Sequence, residues 1–302
     1  MAKTKERLWR FMIEHPKLYK FYENRLIKRR LEKYYNLRKE IAEKNIETIP
    51  IDDNIFIKIH PNSNQDLDYF ENYLYKKIYE EKSLFFMKKL FPYVSTFIDV
   101  GANNGYFSLI ASKYIKSNGQ IYSFEPYPPS YKKLIENIEF NKLSNIKAFN
   151  LALSDQDGEI KFFINSFSDG WNSLMRYNKE FKDSIQVKVK KLDTIFRDEI
   201  IDVMKIDVEG YEEEVMEGSE KLIERSQNIV LFFEYAIDFL AKRKKDLDCT
   251  INFLKDRKFE VYYITKDKQL KNVQTHKQIP ETSTDLMATR HIPKMFEEFL
   301  VP

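Results

Sequence analysis

Short apolar runs alternate with amphipathic stretches from Val94 onward, and this rhythm limits the fold more than any other feature of the sequence. The apolar runs have the length and residue types of β-strands, and the stretches between them are long enough for helices. Such alternation is typical of βαβ units that build a parallel sheet, so we predict an α/β fold. The predicted strands span residues 94–99, 120–125, 146–153, 202–207, 228–234, 259–265 and 285–290. The predicted helices span residues 106–116, 128–141, 211–225 and 245–257.

Other segments depart from that rhythm. Between the third and fourth strands, EIKFFI and IQVKVKKL predict a small antiparallel pair, separated by the loop NSFSDGWNSLMRY. Upstream, residues 49–60 alternate like one short strand, and residues 66–91 have the apolar spacing of one long helix or two short ones.

The N-terminal segment is strongly basic. Residues 1–44 contain 14 lysines and arginines against 6 glutamates, a net charge of +8, whereas the whole chain carries +3. Apolar side chains recur there at helical spacing, and Pro16 suits the first position of a helix. We predict a basic amphipathic helix, in one piece or two, which either packs on the main domain or offers residues 1–45 to a membrane or a protein partner. The predicted division is a basic, mainly helical extension at residues 1–90 and a main domain at residues 91–302.

Composition excludes several classes of protein. A hydrophobic content of 43% with 15% aromatic residues supports a packed core. The single cysteine, Cys249, excludes an internal disulfide and a multi-cysteine zinc site. No apolar run is long enough to span a membrane, and charges interrupt the first twenty residues as they would not in a signal peptide. We expect a cytoplasmic protein, with peripheral membrane contact through the basic helix as an open alternative.

The stretch FIDVGANNGYFSL predicts a ligand-binding turn. Only 7 of the 302 residues are glycine, yet Gly101 and Gly105 stand four apart, just after Asp99. We expect Gly101 to permit a tight turn and Gly105 to let a ligand approach the start of the following helix. The spacing differs from the dinucleotide fingerprint, and a carboxylate at the strand end repels a pyrophosphate. The turn therefore favours a cationic ligand without phosphate, such as S-adenosylmethionine.

Further acids follow the ends of successive strands. Glu125 is placed to bind the two hydroxyls of a ribose, and Asp155 to reach an exocyclic adenine amine. Asp207, Glu209 and Glu234 follow the fourth and fifth strands and are candidates for a general base, for ligands of a divalent cation or for contacts to sugar hydroxyls. Each acid alone also fits a solvated strand end, a turn or a helix N-terminus. Together they predict a binding site at the carboxyl edge of the sheet.

These motifs resemble the FkbM family of methyltransferases. The segments DVGANNGYFSL, SFEP, NLALSDQDGEI, LDTI and MKIDVEGYEEEVMEG match in order and spacing, between Asp99 and Tyr235. The resemblance implies a class I, Rossmann-like fold, with a seven-stranded, mostly parallel sheet and helices on both faces. It also implies S-adenosylmethionine-dependent methylation of a hydroxyl, most often on a sugar or a secondary metabolite.

The resemblance assigns roles to particular residues. Asp207 and Glu209 would face the reacting centre, and the glutamate-bearing helix of IYEEKSLFFMKKL would bring Glu80 to the cofactor. The residues so assigned to the cofactor are Glu80, Asp99, Gly101, Asn103, Gly105, Glu125 and Asp155. The basic first 45 residues and the tail from Arg290 match no family pattern.

Several chemical roles follow as hypotheses. We expect Asp207 or Glu209 to act as the base, with His276 and His291 in reserve. Trp171, Asn172 and Ser173 of the insert, with Glu234, are candidate substrate contacts, although Trp171 equally fits a packed loop anchor.

Two other functions remain open from the sequence alone. One is an RNA ribose methyltransferase that would use the basic arm on phosphates, and the other is a non-catalytic scaffold that docks to a membrane or a partner through the basic helix. We rank the RNA enzyme and nucleic-acid binding lower, because Lys205 lies inside a strand and is expected to point away from the cofactor edge. The sequence therefore favours an O-methyltransferase whose acceptor is a sugar, glycan or glycolipid.

Overall fold

The computed structural model describes residues 16–165, 172–174, 181–236, 240–241, 243, 246–281 and 283–302. The helices are α1 Pro16–Lys44, α2 Asn64–Leu74, α3 Glu81–Leu90, α4 Tyr106–Tyr114, α5 Pro128–Phe140, α6 Leu192–Ile195, α7 Glu212–Glu217, α8 Glu220–Arg225 and α9 Cys249–Asp256. The strands are β1 Thr48–Asp52, β2 Ile55–Lys58, β3 Thr96–Val100, β4 Gln120–Phe124, β5 Ile146–Phe149, β6 Ala152–Leu153, β7 Gly158–Asn165, β8 Phe181–Lys190, β9 Val203–Ile206, β10 Val230–Ala236, β11 Glu260–Ile264, β12 Leu270–Asn272, β13 Ser283–Thr289 and β14 Leu300–Val301. Short 3-10 turns span Phe91–Tyr93, His276–Gln278 and Lys294–Phe299.

A nine-stranded sheet in the order β14-β12-β11-β13-β10-β9-β3-β4-β5 forms the centre of the fold. Strands β5, β4, β3, β9 and β10 run parallel, and β13 lies antiparallel between β10 and β11. Each of the seven predicted strands contributes residues to this sheet, although the third contributes only β5, and this confirms the predicted α/β, Rossmann-like class. Two short strands that were not predicted, β12 and β14, extend one edge.

Alternation along the strands explains why both faces of the sheet are covered. Phe97 and Ile98, neighbours in β3, belong to two separate apolar clusters, as do Val203 and Met204 in β9. Helices α1 to α5 pack on the face that carries Phe97, and α6 to α9 pack on the other. A parallel sheet needs this double cover, because its strands are apolar on both sides.

Three predicted elements differ in detail from those observed. Residues 49–60 form a hairpin rather than one strand, because Asn54 adopts the left-handed backbone that a tight turn requires. The run 146–153 splits because the chain leaves the main sheet after Phe149. Residues 66–91 form two helices, which is one of the two predicted alternatives. The helix predicted at 211–225 breaks at Gly218, where a Cβ atom would lie 1.9 Å from the carbonyl oxygen of Ser154.

The insert between β6 and β8 forms a second, three-stranded sheet in the order β6-β8-β7. Its strands β7 and β8 are antiparallel, as predicted. Phe162, Leu174 and Val187 belong to a separate small apolar cluster in this sheet. The described part of the insert therefore forms a wall beside the carboxyl edge of the main sheet.

Within the described residues, the basic N-terminal segment contains one continuous helix, from Pro16 to Lys44. Tyr34, Leu37 and Ile41 are buried in the same apolar cluster as Phe97 of the sheet, so the interpretation that the helix packs on the main body holds for this face. Within the described part of the chain, no helix combines the length and the apolar character needed to cross a membrane.

Candidate functional site

Two cavities meet at the carboxyl edge of β3, β4, β9 and β10. The apolar cavity is lined by Val100, Gly101, Asn103, Phe124, Glu125, Pro126, Leu151, Ala152, Leu153, Phe162, Asn172, Leu174, Asp207, Val208 and Glu209. The acidic cavity, of about 390 Å³, is lined by Gln65, Tyr69, Tyr79, Glu80, Glu81, Lys82, Gly101, Ala102, Asn103, Tyr106, Phe107, Lys205, Asp207, Glu209, Glu234, Glu281, Ser283, Thr284 and Asp285. Gly101, Asn103, Asp207 and Glu209 belong to both, so the two cavities form one site. This is the edge at which open α/β sheets bind their ligands.

Gly101 lies where the two cavities join. Its φ is +79°, and a Cβ atom there would lie 1.8 Å from the carbonyl oxygen of Asp207, so no other residue fits. Gly105 also has a positive φ, +94°, but a Cβ atom there would lie 2.6 Å from Leu134 of α5. Gly105 lines neither cavity as the described residues define them, and the expected close approach of a ligand there stays a prediction. The missing side chain at Gly105 leaves room for Leu134 of α5.

Glu125 is held in place by backbone donors from both sides. The N–H of Asn103 donates to its Oε2 at 2.9 Å, and the N–H of Tyr127 donates to its Oε1 at 2.8 Å. The residue is 6% exposed and lines the apolar cavity. A carboxylate oxygen accepts more than one hydrogen bond, so this group keeps the capacity to receive two neighbouring hydroxyls.

Asn103 contributes a second polar atom to the same junction. Its backbone is left-handed, with φ at +49°, which an asparagine tolerates better than most residues. Among the described residues its buried Oδ1 has no hydrogen-bond partner. Buried polar atoms are rarely left unpaired, so this oxygen marks a place for a ligand.

Two predicted cofactor residues lie away from the cavity walls. Asp99 is 1% exposed and accepts a hydrogen bond from Ser108 Oγ at 2.5 Å, and burial raises its pKa. Asp155 lies two residues past Leu153 and accepts from Ser154 Oγ at 3.0 Å. Neither lines a cavity as the described residues define them. Asp99 therefore supports the turn from beneath, between β3 and α4.

Lys205 lines the acidic cavity, contrary to expectation. Its Nζ lies 2.7 Å from Asp207 Oδ2, 3.7 Å from Glu80 Oε2 and 4.5 Å from the ring centre of Phe107. The prediction that Lys205 points away from the cofactor edge is wrong, because its long aliphatic stem carries the ammonium along the strand to that edge. Lys205 is therefore a cation among the carboxylates of the acidic cavity.

Glu80 enters the site from the turn between α2 and α3. Its φ is +45°, and its Oε2 is buried with no hydrogen-bond partner in the described part of the chain. Burial raises the pKa of Glu80 to about 8, partly offset by the charge of Lys205. Glu80 lines the acidic cavity, and its contact with a cofactor stays a prediction.

Asp207, Glu209 and Glu234 come together as the strand ends predicted. Each offers a carboxylate oxygen, and the three oxygens lie within 4.8 Å of one another. Burial, with the charges of Glu234 and Asp207, raises the pKa of Glu209 well above its usual range. Burial and the charge of Asp207 do the same for the pKa of Glu234, whose Oε1 accepts from Ser283 Oγ at 2.8 Å. This arrangement can hold a proton, a cation or the hydroxyls of a bound molecule.

The turn that carries Glu209 is fixed by neighbouring groups. Glu212 Oε1 accepts the backbone N–H groups of Val208 at 3.0 Å and Gly210 at 3.2 Å. From the insert, Ser173 Oγ donates to the carbonyl oxygen of Glu209 at 2.8 Å. The position of Glu209 therefore depends on both the main sheet and the insert.

The remaining predicted residues divide by place. Asn172 lines the apolar cavity, whereas Ser173 lines neither and is 1% exposed. Trp171 lies outside the described residues. His276 and His291 also line neither cavity, and Nδ1 of His276 bonds to Asp248 at 2.9 Å, so their reserve role as bases is not supported.

Several wall residues carried no recognisable signal in the sequence. Asp285 is the cross-strand partner of Glu234 and accepts from Ser83 Oγ at 2.5 Å. Tyr69 and Tyr106 stack with ring centres 5.3 Å apart and form an aromatic wall of the acidic cavity. Finding Asp285 requires knowing that β13 pairs with β10, which the spacing along the chain does not reveal.

Comparison with known proteins bears on this site. The sequence model of the methyltransferase FkbM domain matches residues 99–261, more than half of the chain. Methyltransferase sdnD of Sordaria araneosa is 30% identical over 168 residues, which cover 44% of this chain and 64% of that protein. The 2-O-methyltransferase NoeI of Sinorhizobium fredii (strain NBRC 101917 / NGR234) is 26% identical over 177 residues, covering 52% and 70% respectively. The chain thus spans just under two thirds of the length of sdnD.

Among solved structures, the chain is similar to methyltransferase FkbM from Methylobacillus flagellatus KT. The TM-score is 0.45 at 15% identity, over 86% of this chain and 58% of that one.

Proposed function

The chain belongs to the methyltransferase FkbM family, and on that premise we propose that it transfers a methyl group from S-adenosylmethionine to a hydroxyl oxygen of a sugar, glycan or glycolipid. The observation that carries the proposal is the joined pair of cavities, one apolar beside Glu125 and one lined by carboxylates. The first suits a nucleoside and the second a cationic group next to an acceptor.

The residues present fit S-adenosylmethionine. Glu125 is positioned for the ribose hydroxyls, and the walls formed by Phe124, Phe162 and Val208 suit a planar base. Among the described residues, seven acidic side chains against two lysines line the acidic cavity, and a bound sulfonium and α-amino group favour the ionised form of those whose pKa burial raises. When bound, the cofactor supplies an electrophilic methyl carbon. The chain's own residues must then hold the acceptor oxygen in line with it.

The acidic cluster supports a hydroxyl as the acceptor. An alcohol is a weak nucleophile at neutral pH, so a base next to it assists the reaction by removing its proton. Asp207, Glu209 and Glu234 lie together at the junction of the cavities, and burial raises the pKa of Glu209 and Glu234. We assign the base to this group, with Asp207 or Glu209 nearest the reacting atoms. Oxygen as the acceptor atom also agrees with the name of NoeI, a 2-O-methyltransferase.

The same three carboxylates fit a divalent cation, and this alternative is testable. Magnesium and calcium prefer oxygen ligands, and the three oxygens within 4.8 Å provide them. If a cation activates the hydroxyl, EDTA abolishes transfer and added Mg²⁺ restores it. If a carboxylate is the base, EDTA leaves the rate unchanged.

Charge argues against a nucleic-acid acceptor. The surplus of carboxylates in the acidic cavity repels a phosphodiester, whereas a sugar brings only hydroxyls.

We propose that the exposed side of α1, with Leu31 and Tyr35, accounts for any peripheral contact with a membrane or a protein.

A labelled-methyl experiment tests the function. The protein is incubated with tritiated S-adenosylmethionine and a cell extract, which is then separated into glycan, lipid, RNA and protein fractions. We expect label in the glycan or glycolipid fraction. Label confined to RNA or protein would refute the acceptor class, and failure to bind S-adenosylhomocysteine in calorimetry would refute the enzyme assignment itself.

Glu125 provides the matched variants for that experiment. Glu125→Ala removes the proposed ribose contact, so we expect S-adenosylhomocysteine affinity to fall at least about 10-fold, the loss typical of a buried hydrogen-bonded acid. Glu159→Ala removes an exposed glutamate from β7 and should leave affinity unchanged. Equal affinity in the two variants would remove the ribose assignment.

A further inference from the structure

Asn172 of the insert lines the apolar cavity and carries an NH₂ group without a partner among the described residues. The residue is 7% exposed, and among the described residues its Nδ2 is buried without a hydrogen-bond partner. Most buried polar groups in proteins are paired, because an unpaired one loses its bonds to water and gains nothing in return. A buried donor left open at a cavity wall indicates that a ligand supplies the missing acceptor.

The orientation of this amide is fixed by the backbone. Asn172 Oδ1 lies 2.8 Å from the backbone nitrogen of Asn165, which can only donate a hydrogen bond. The oxygen must therefore face Asn165, and the NH₂ group must occupy the other side. The unpaired atom is thus a donor, and exchanging the two amide atoms would leave the Asn165 N–H facing another donor.

The surroundings define which acceptor fits. Phe124, Leu153, Phe162 and Val208 give the same cavity apolar walls, and Glu125 provides its carboxylate. If Glu125 takes the ribose, the base lies among these apolar walls, where the NH₂ group of Asn172 can meet a ring nitrogen. A purine ring presents such nitrogens as acceptors in its plane.

We propose that Asn172 binds the adenine base of the cofactor by donating a hydrogen bond from its Nδ2 to a ring nitrogen. This rests on the proposed function, and it moves adenine recognition from Asp155, which lies off the cavity wall, to the insert. It also turns Asn172 from a candidate substrate contact into a residue that selects the cofactor. Its neighbour Ser173 bonds to the carbonyl of Glu209, so one short segment contacts both the cofactor and the catalytic turn.

Deaza analogues provide the test. Wild-type protein is titrated by calorimetry with S-adenosylhomocysteine and with its 1-deaza, 3-deaza and 7-deaza forms, in which one ring nitrogen is replaced by C–H. We expect one analogue to bind about 10-fold more weakly than S-adenosylhomocysteine, the effect of losing one buried hydrogen bond. The same set is then titrated against Asn172→Leu, which keeps the volume and removes the amide.

The coupling between ligand and variant is the decisive readout. In Asn172→Leu, the sensitive analogue and S-adenosylhomocysteine should bind equally well, because the partner of the ring nitrogen is gone. A purely structural role would weaken all four ligands alike and preserve the preference, which would overturn the proposal.

Two further outcomes keep the proposal distinct from the function on which it rests. If the wild-type protein binds all four ligands equally, the proposal fails whether or not the variant folds. If the wild-type protein does not bind S-adenosylhomocysteine at all, the proposed function fails first.

The variant Asn172→Asp keeps the oxygen that faces Asn165 and exchanges the donor for an acceptor. It should therefore also lose the preference for S-adenosylhomocysteine over the sensitive analogue.

Discussion

Gly101 brings the ends of two neighbouring strands closer together than any side chain would allow. A methyl group there would overlap the carbonyl oxygen of Asp207, and the φ of +79° already disfavours other residues. We expect Gly101→Ala to lower the free energy of unfolding by about 2 kcal/mol or more and to abolish measurable S-adenosylhomocysteine binding. Urea denaturation and calorimetry provide the two measurements.

Gly158 provides the control for that substitution. Its φ is also positive, at +147°, but a methyl group added there would meet no atom within 4 Å. Gly158→Ala should therefore show only the cost of backbone strain and retain ligand binding. Similar losses of binding in both variants would mean that the contact with Asp207 does not matter.

The buried carboxyl of Glu80 gives the protein a predictable dependence on pH. Its pKa rises from 4.5 to about 8 on folding, because burial disfavours the charged form. At a pH between these two values, Glu80 keeps its proton in the folded state and has lost it in the unfolded state. The free energy of unfolding therefore falls as the pH rises through this range. We expect Glu80→Gln to flatten the fall in melting temperature between pH 5 and pH 8, roughly the range set by the two pKa values. The exposed variant Glu159→Gln should retain the wild-type slope, and an unchanged slope in Glu80→Gln would contradict the assignment.

Sequence patterns predicted some site residues and missed others for a physical reason. Asp207, Glu209 and Glu234 follow strands, and parallel strand ends meet at one edge, so their convergence follows from local order. Asp285 reaches the same cavity from the start of an antiparallel strand, so its place depends on which strands pair. Lys205 was misplaced because the direction of its Cβ says little about where a long side chain ends.

At the level of elements, a hydroxyl of the insert bonds to the turn that carries Glu209. Ser173 Oγ donates to the carbonyl of Glu209, whose own φ is +55°. We expect Ser173→Ala to lower kcat about 3- to 10-fold while the affinity for S-adenosylhomocysteine stays within a factor of two, since one neutral hydrogen bond contributes about 1 kcal/mol. Steady-state kinetics and calorimetry separate the two effects.

Ser144→Ala, at an exposed loop position, is the control and should leave both quantities unchanged. A fall in cofactor affinity with an unchanged kcat would place Ser173 in cofactor binding and not in the support of Glu209.

The elements that were predicted correctly are those whose structure a single local sequence pattern decides. Seven of the nine strands of the main sheet and the β7–β8 pair follow from apolar runs and alternation. The hairpin at residues 49–60 and the split after Phe149 depend on tertiary pairing, which periodicity does not encode. Gly218 ends α7 because the helix meets the backbone of Ser154, a contact between distant parts of the chain.

For the whole molecule, we propose that residues 1–90 are an extension that stabilises the domain at residues 91–302 and cannot be removed without loss. Helices α1 to α3 share one apolar cluster with the sheet, and the turn before α3 places Tyr79 and Glu80 in the acidic cavity. A protein beginning at residue 91 should therefore unfold at lower urea concentration, bind a hydrophobic dye and lose affinity for S-adenosylhomocysteine. Circular dichroism, dye fluorescence and calorimetry measure these changes.

A point variant on the outer side of α1 separates packing from surface effects. Tyr35 is 68% exposed, so Tyr35→Ser should leave folding and ligand affinity unchanged. A shortened protein that binds ligand as well as the full chain would show that residues 1–90 are dispensable for the site.

Acidic side chains outnumber lysines in the acidic cavity, and this affects how readily the spent cofactor leaves after methyl transfer. A sulfonium carries a positive charge, and the thioether left after methyl transfer does not, so the same walls attract the spent molecule less than the fresh one. Electrostatics therefore favours the replacement of bound S-adenosylhomocysteine by S-adenosylmethionine. The enzyme should be less inhibited by its own by-product than one with a neutral pocket, and this advantage should fade as salt screens the walls.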